Sequence, residues 1–132
     1  MNIYLASPYT SDYEIVMEDR YYAALDATAA LIRAGYNVFS PIVHSHHIGR
    51  WLGNGNDSEY WTALNLSFIE RWADVLVVLC IPGWWKSQGI MREVDEAERC
   101  GLPVEQAVDP LTINLKAVVS VLYKARFGHM WE

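Results

Sequence analysis

The longest apolar run of the chain, Val75-Leu76-Val77-Val78-Leu79-Cys80-Ile81, shows no alternation of apolar and polar residues. A strand with one wet face alternates. An unbroken run of valine and leucine needs cover on both faces, as inner strands of a parallel sheet have. The run is of strand length and falls well short of the roughly 18–20 apolar residues of a membrane span. A strand over residues 74–80, layered between helices, is the element around which the rest must fold.

The flanking segments supply those layers. Residues 2–6 are apolar and end at Ser7-Pro8, which reads as a first, central strand. Ser11 or Asp12 caps a long helix to about Ala34, with Ile15, Tyr22, Leu25, Thr28, Ala29 and Ile32 as its inner stripe. Gly35 closes that helix, and a second strand over residues 36–40 stops at Pro41. Strand, helix and strand in this order make a right-handed βαβ unit. Residues 41–56 read as irregular, ending in the flexible tip Gly53-Asn54-Gly55-Asn56. Asp57 or Ser58 caps a helix to about Trp72, its turns marked by Tyr60, Leu64, Ser67, Phe68 and Arg71.

After the 74–80 strand comes the loop Pro82-Gly83-Trp84-Trp85-Lys86-Ser87-Gln88-Gly89, then a helix to about Cys100 with a buried stripe of Ile90, Met91, Val94 and Ala97. Gly101 ends it, and residues 102–106 form a fourth strand. Asp109-Pro110 opens a last helix, with Leu111, Leu115, Val118 and Leu122 as its stripe, Gly128 as its stop and Trp131 in an aromatic tail. The alternation implies an α/β fold: a three-layer Rossmann- or flavodoxin-like sandwich with a small parallel sheet of four to five strands. At 132 residues this is one domain, spanning residues 1–132.

Hydrophobic residues make up 52% of the chain and charged residues 20%, a balance that folds rather than staying disordered. Ten Lys and Arg stand against sixteen Asp and Glu, for a net charge of −6, and no basic cluster stands out. That argues against a nucleic-acid backbone reader but leaves room for one local anion site. Residues 1–6 lack the basic and long apolar regions of a signal peptide. Cys80 and Cys100 lack metal-ligand spacing and read as thiols of a reducing cytoplasm. The expectation is a cytoplasmic protein that does not engage a membrane.

Ligands of open parallel sheets bind at the carboxyl ends of the strands. Here those ends are Ala6-Ser7-Pro8-Tyr9, Ser40-Pro41 and residues 80–89. Ser87-Gln88-Gly89-Ile90 is the first turn of a helix, where unpaired N–H groups and the helix dipole attract an anion. Ser87 adds a hydroxyl, and Gly89 allows close approach to the backbone. The plain alternative makes Ser87 an N-cap and Gly89 a turn residue. Glu93 lies four residues past Gly89, at the stripe's edge beside Ile90 and Ala97; the plain alternative is a surface glutamate like Glu96 and Glu98.

His44 and His46 alternate as two ligands on a strand would, yet no carboxylate or cysteine cluster completes a set, so no metal is expected. They and His47 read as a polar loop near the pocket, with substrate contact, from His44, as the second choice. Trp84 stacks on a nucleobase or packs under its loop, and both stay open. Ser7 and Tyr9 follow the first strand, with Tyr9 at a sugar site. The apolar last helix and aromatic tail suggest a homo-oligomer.

Ile3-Tyr4-Leu5-Ala6-Ser7-Pro8-Tyr9 resembles the first strand and loop of nucleoside 2-deoxyribosyltransferases. Ala73-Asp74-Val75-Leu76-Val77-Val78-Leu79, then Gly83-Trp84, then Ser87-x-Gly89-x-x-x-Glu93-x-x-x-Ala97, resembles their third strand and catalytic helix. The Ser-x-Gly-x-x-x-Glu spacing is closer to relatives that hydrolyse nucleoside 5′-monophosphates. The chain as a whole, over residues 1–106, resembles an uncharacterised bacterial and phage branch of that superfamily. The resemblance implies that Glu93 is the nucleophile at C1′ of the sugar, that Tyr4 orients its carboxylate, and that Ser87 and Gly89 hold the 5′ group. The transferases acting on free nucleosides tend to carry an aspartate where Ser87 stands. Aspartate repels phosphate and serine tolerates it, so a 5′-monophosphate is the expected ligand, with Lys86 or Arg92 adding charge.

Two departures follow. The family's aspartate that assists the leaving base has Asn65 or Leu66 as its counterpart, and asparagine is no acid or base. Asp57, Glu59 and Glu70 are the nearby acids. The residue that the family borrows from a partner subunit finds no clear match in Asn114 or Ser120. The implied activity is cleavage of the N-glycosidic bond, by hydrolysis or by transfer of the sugar, without a cofactor. A nucleotide-binding module without catalysis, and a hydrolase of a larger nucleotide such as NAD, remain as alternatives.

Overall fold

Val75–Leu79 is buried along its whole length. Its odd-numbered residues meet one layer and its even-numbered residues the other, as the unbroken apolar run requires. The computed structural model describes residues 1–53 and 58–107. Its elements are β1 (Asn2–Ala6), α1 (Glu14–Arg33), β2 (Asn37–Phe39), α2 (Pro41–Trp51), α3 (Ser58–Arg71), β3 (Val75–Leu79), a short 3-10 turn (Trp84–Lys86), α4 (Gln88–Arg99) and β4 (Val104–Ala107).

The strands form one parallel sheet in the order β2-β1-β3-β4, with Tyr4 opposite Leu76 and Leu76 opposite Val104. On one face Ile3, Leu5, Val75, Val77 and Leu79 pack against Ala27 and Leu31 of α1. On the other, Tyr4, Ala6, Leu76 and Val78 pack against Ile69 of α3 and Ile90 and Ala97 of α4. This is the three-layer α/β sandwich expected, with β1 inside the sheet. The chain leaves β1 toward β2 and leaves β3 toward β4, on opposite sides. The carboxyl ends of these neighbours therefore open a crevice between diverging connections.

Several expectations need correction. First, α1 turns Tyr21, Ala24, Ala27, Thr28 and Leu31 to the core, while Ile15 is 72% exposed and Tyr22, Leu25 and Ile32 are also exposed. The helix is apolar around much of its circumference, and small Ala24 and Ala27 give the closer seat on the sheet. Second, α1 begins after Tyr13, not at a Ser11 or Asp12 cap; Ser11 Oγ instead accepts from the Tyr13 amide at 3.1 Å.

Third, residues 41–51 are helical rather than irregular. Ser40 is the N-cap, accepting from the Val43 amide at 3.2 Å, and Pro41 occupies the first turn, where its missing N–H is no loss. Fourth, α4 turns Glu93 inward with Ile90 and Ala97, and Met91 is 56% exposed. Strands β2 and β4 are shorter than expected, with β4 starting at Val104.

The helix expected from Asp109-Pro110, with Leu111, Asn114, Leu115, Val118, Ser120, Leu122, Gly128 and Trp131, falls on residues outside the described ones, as do residues 54–56 of the tip and Asp57. Among the described residues no helix is long and apolar enough to cross a membrane. Cys80 and Cys100 are free thiols, the second exposed.

Candidate active site

The crevice at the ends of β1 and β3 widens into a cleft of about 880 Å³. Ser7 and Tyr9 enter it from β1, Asn65 from α3, and Ser87, Gly89 and Glu93 from the start of α4. These are six of the nine residues that the sequence singles out. A seventh, Tyr4, stands directly behind: it is fully buried on β1, and its hydroxyl donates to Glu93 Oε2.

Glu93 reaches Tyr4 because residues 90, 93 and 97 fall on the face of α4 that meets the sheet. Its side chain lines the cleft, yet the residue is only 9% exposed. Burial raises its carboxyl to about 7, against the opposing pull of the Tyr4 hydrogen bond and the Arg92 charge. The same burial, and then the Glu93 charge, push the Tyr4 phenol well above its ordinary range, so Tyr4 stays a donor.

The first turn of α4 borders this carboxyl. Ser87 Oγ caps the helix by accepting from the Ile90 amide at 3.2 Å, which leaves its own proton free to donate. Gln88 and Gly89 belong to the first turn, whose amides have no acceptor within the helix. A Cβ on Gly89 would lie 3.7 Å from Ser87 Oγ and 3.8 Å from Glu93 Oε1, so the bare glycine leaves the space between them open. Ser7, 6% exposed, lines the cleft, and its buried hydroxyl has no partner among the described residues. An orphaned buried hydroxyl in the wall of the cleft that also holds a helix N-terminus calls for a polar partner there. The side chains of Lys86 and Arg92 stand at the rim.

Arg20 of α1 joins the two loops of the cleft. Its guanidinium donates to the carbonyls of Tyr9 (3.2 Å) and Thr10 (2.9 Å) after β1, and of Pro82 (3.4 Å) after β3. Gly83 makes this possible, with a φ of +93° and no side chain to meet Arg20 Nη2, which lies 2.5 Å from where a Cβ would be.

Two residues singled out in the sequence lie elsewhere. His44 sits in an aromatic group with Phe39 and Trp61, at 5.7 and 6.2 Å between ring centroids, and does not line the cleft. Trp84 packs on the core beneath α4 and lines a smaller depression with Val78, Ile90 and Val94. On a helix, residues 44 and 46 point about 200° apart, so the strand-like alternation of the two histidines dissolves. Among the described residues no three His, Cys, Asp or Glu side chains converge to hold a metal ion.

Sequence reasoning missed Arg20 and Trp61, which line the cleft, and of the histidines near the pocket chose His44, where the structure brings His46 into the lining. Ser40-Pro41 held the signal for His46: read as cap and first turn, it makes residues 41–51 a helix with His46 and Arg50 on one face. Trp61 stands one turn before Asn65 on α3.

A protein-family model described as a domain of unknown function, DUF1937, matches residues 1–108. No curated protein matches the chain.

Proposed function

The chain belongs to the DUF1937 family, and we propose that it cleaves the N-glycosidic bond of a nucleoside 5′-monophosphate. The observation that carries this reading is the enclosed Glu93 carboxyl, held by Tyr4 and facing a cleft one helical turn from an anion-receptive N-terminus. An acid that titrates near neutrality inside a ligand cleft is suited to chemistry rather than to stability.

In this reading the phosphate lies on the Gln88 and Gly89 amides and the hydroxyls of Ser87 and Ser7. A Glu93 oxygen bonds to C1′ as the C1′–N bond breaks, and the base departs with the electron pair. The developing oxocarbenium charge is stabilised by the same carboxylate. Water then attacks C1′, the ester bond breaks, and Glu93 is regained; a second base in place of water gives transfer. Asn65 hydrogen-bonds the base but holds no proton to give, so the leaving base takes its proton from water.

The test is a panel of ribo- and deoxyribonucleoside 5′-monophosphates, the matching nucleosides and NAD, incubated with the protein and chromatographed for free base. Base released from monophosphates faster than from nucleosides, and lost in Glu93→Ala, is the expected result. Tight binding without release makes the protein a nucleotide-binding module instead. Faster cleavage of free nucleosides overturns the phosphate assignment.

A further inference from the structure

We propose that Tyr9 accepts a hydrogen bond from a donor group on the ligand, a sugar hydroxyl or an exocyclic amine, because His46 and Glu18 hold its own proton inward. The class of ligand rests on the nucleotide reading above; the direction of the Tyr9 proton does not.

Tyr9 is half-buried at the carboxyl end of β1 and lines the cleft. Its hydroxyl lies 2.6 Å from His46 Nδ1. The His46 imidazole is 2% exposed, stacks on Tyr21 at 4.1 Å and 14°, and meets the Tyr9 and His47 rings edge-on. Its other nitrogen, Nε2, is buried without a hydrogen bond among the described residues but lies 3.3 Å from Glu18 Oε1, close enough for the carboxylate charge to act on it; Arg50 pairs with Glu18 in turn and with Glu14 at 3.3 Å. Helix α1 thus supplies Glu18 and Tyr21, and α2 supplies His46 and Arg50. The packing of the two helices fixes the ring.

Burial first, and then the Arg50 and His47 charges, lower the His46 pKa against the pull of Glu18, so the ring is neutral and carries one N–H. A lone pair on Nε2 would face the Glu18 carboxylate, so the proton belongs on Nε2. Nδ1 then offers only a lone pair, and a contact of 2.6 Å needs a proton between the two atoms. Tyr9 has the one proton available. With its O–H turned inward, Tyr9 presents oxygen lone pairs to the cleft, where a phosphate oxygen is repelled and a hydroxyl or amine is welcome. The ligand is thereby oriented, with its anion at α4 and a donor at Tyr9. His46 and Glu18 are positioning residues in this arrangement.

Long-range 1H–15N spectra of the full chain, assigned with His46→Gln, give the direction of the proton. The expected result is a neutral His46 at pH 7 protonated on Nε2, with an Nδ1 resonance that moves in Tyr9→Phe. Glu18→Gln, whose amide oxygen keeps a partial negative charge beside Nε2, keeps this tautomer, and Glu18→Leu loses it. A proton on Nδ1 overturns the proposal. The ligand donor is then sought with matched 5′-monophosphates: ribose against 2′- and 3′-deoxyribose for a hydroxyl, cytosine against uracil and adenine against hypoxanthine for an amine.

Tyr9→Phe should lower kcat/KM roughly ten- to a hundredfold more for the member bearing the donor than for its partner. An equal loss across every pair overturns the donor assignment. If the wild-type protein releases no base from any nucleotide, cleavage is wrong, and the same pairs are compared by Kd. No Tyr9-dependent difference in Kd then sinks the donor assignment too.

Discussion

The hydroxyl of Tyr4 on β1 donates to Oε2 of Glu93 on α4. One is an inner-strand residue with no solvent contact, the other the acid that faces the cleft. The bond stabilises the ionised form of a carboxyl that burial otherwise keeps protonated. Tyr4→Phe keeps the ring and removes the donor. The Glu93 carboxyl should then rise further above 7, and the acid limb of the pH–rate profile should move to higher pH with it. Stability should fall by about 1 kcal/mol. An unmoved limb would mean that Tyr4 does not hold the reacting carboxylate.

In the wild-type protein a nucleophilic Glu93 must be ionised. Its carboxyl titrates at about 7, so kcat/KM should climb as pH rises from 5 to 8 and level off above that value. Glu93→Gln should lower turnover by at least about 10³-fold. A rate that falls over the same interval would assign Glu93 the role of general acid instead.

The same carboxyl makes stability depend on pH. It titrates at about 7 folded and near 4.5 unfolded, so between these values the folded chain holds the extra proton. Its favourable contribution is complete below about 4.5 and is lost as pH rises through 7, a swing of about 3 kcal/mol. Glu93→Gln should therefore melt higher than wild type at pH 8, with the gap closing toward pH 5. Thermal unfolding across that range measures it, and a constant gap would refute the burial argument.

Gly89 separates binding from folding. A methyl there meets Ser87 Oγ and Glu93 Oε1 at ordinary contact distance, so Gly89→Ala should fold as well as wild type or gain about 0.5–1 kcal/mol from helix propensity. The methyl fills the space where the proposed phosphate would lie, so KM for a nucleoside 5′-monophosphate should rise about tenfold or more. Calorimetry and kinetics on the same sample decide it.

Gly83 behaves in the opposite way. Its φ of +93° strains any side chain, and a methyl there would also push the Arg20 guanidinium aside, so Gly83→Ala should destabilise the fold by about 1–3 kcal/mol. An unchanged melting temperature would show that the turn relaxes freely.

The sheet was legible because β3 is apolar without interruption and because strand and helix signals alternate around it. Glu93 was legible by its spacing from Gly89, although its inward direction depends on where α4 crosses the sheet. Helix α2 was hidden because Pro41 serves equally to stop a strand and to start a helix, and only Ser40 as a cap tips the balance. The inner face of α1 was hidden because alanines, not the larger Ile15 and Tyr22, make the contact. Once residues 41–51 are read as a helix, His46 and His44 separate onto different faces, but which face meets α1 is set by the docking of the two helices.

The Arg20 clasp has a mechanical consequence. One guanidinium grips main-chain oxygens on both rims, at Tyr9 and Thr10 on one side and Pro82 on the other. The loops after β1 and β3 are therefore tied to one another through one α1 side chain. Strain placed on Tyr9 or Thr10 is shared, through that side chain, with Pro82 at the head of the loop that leads to Ser87.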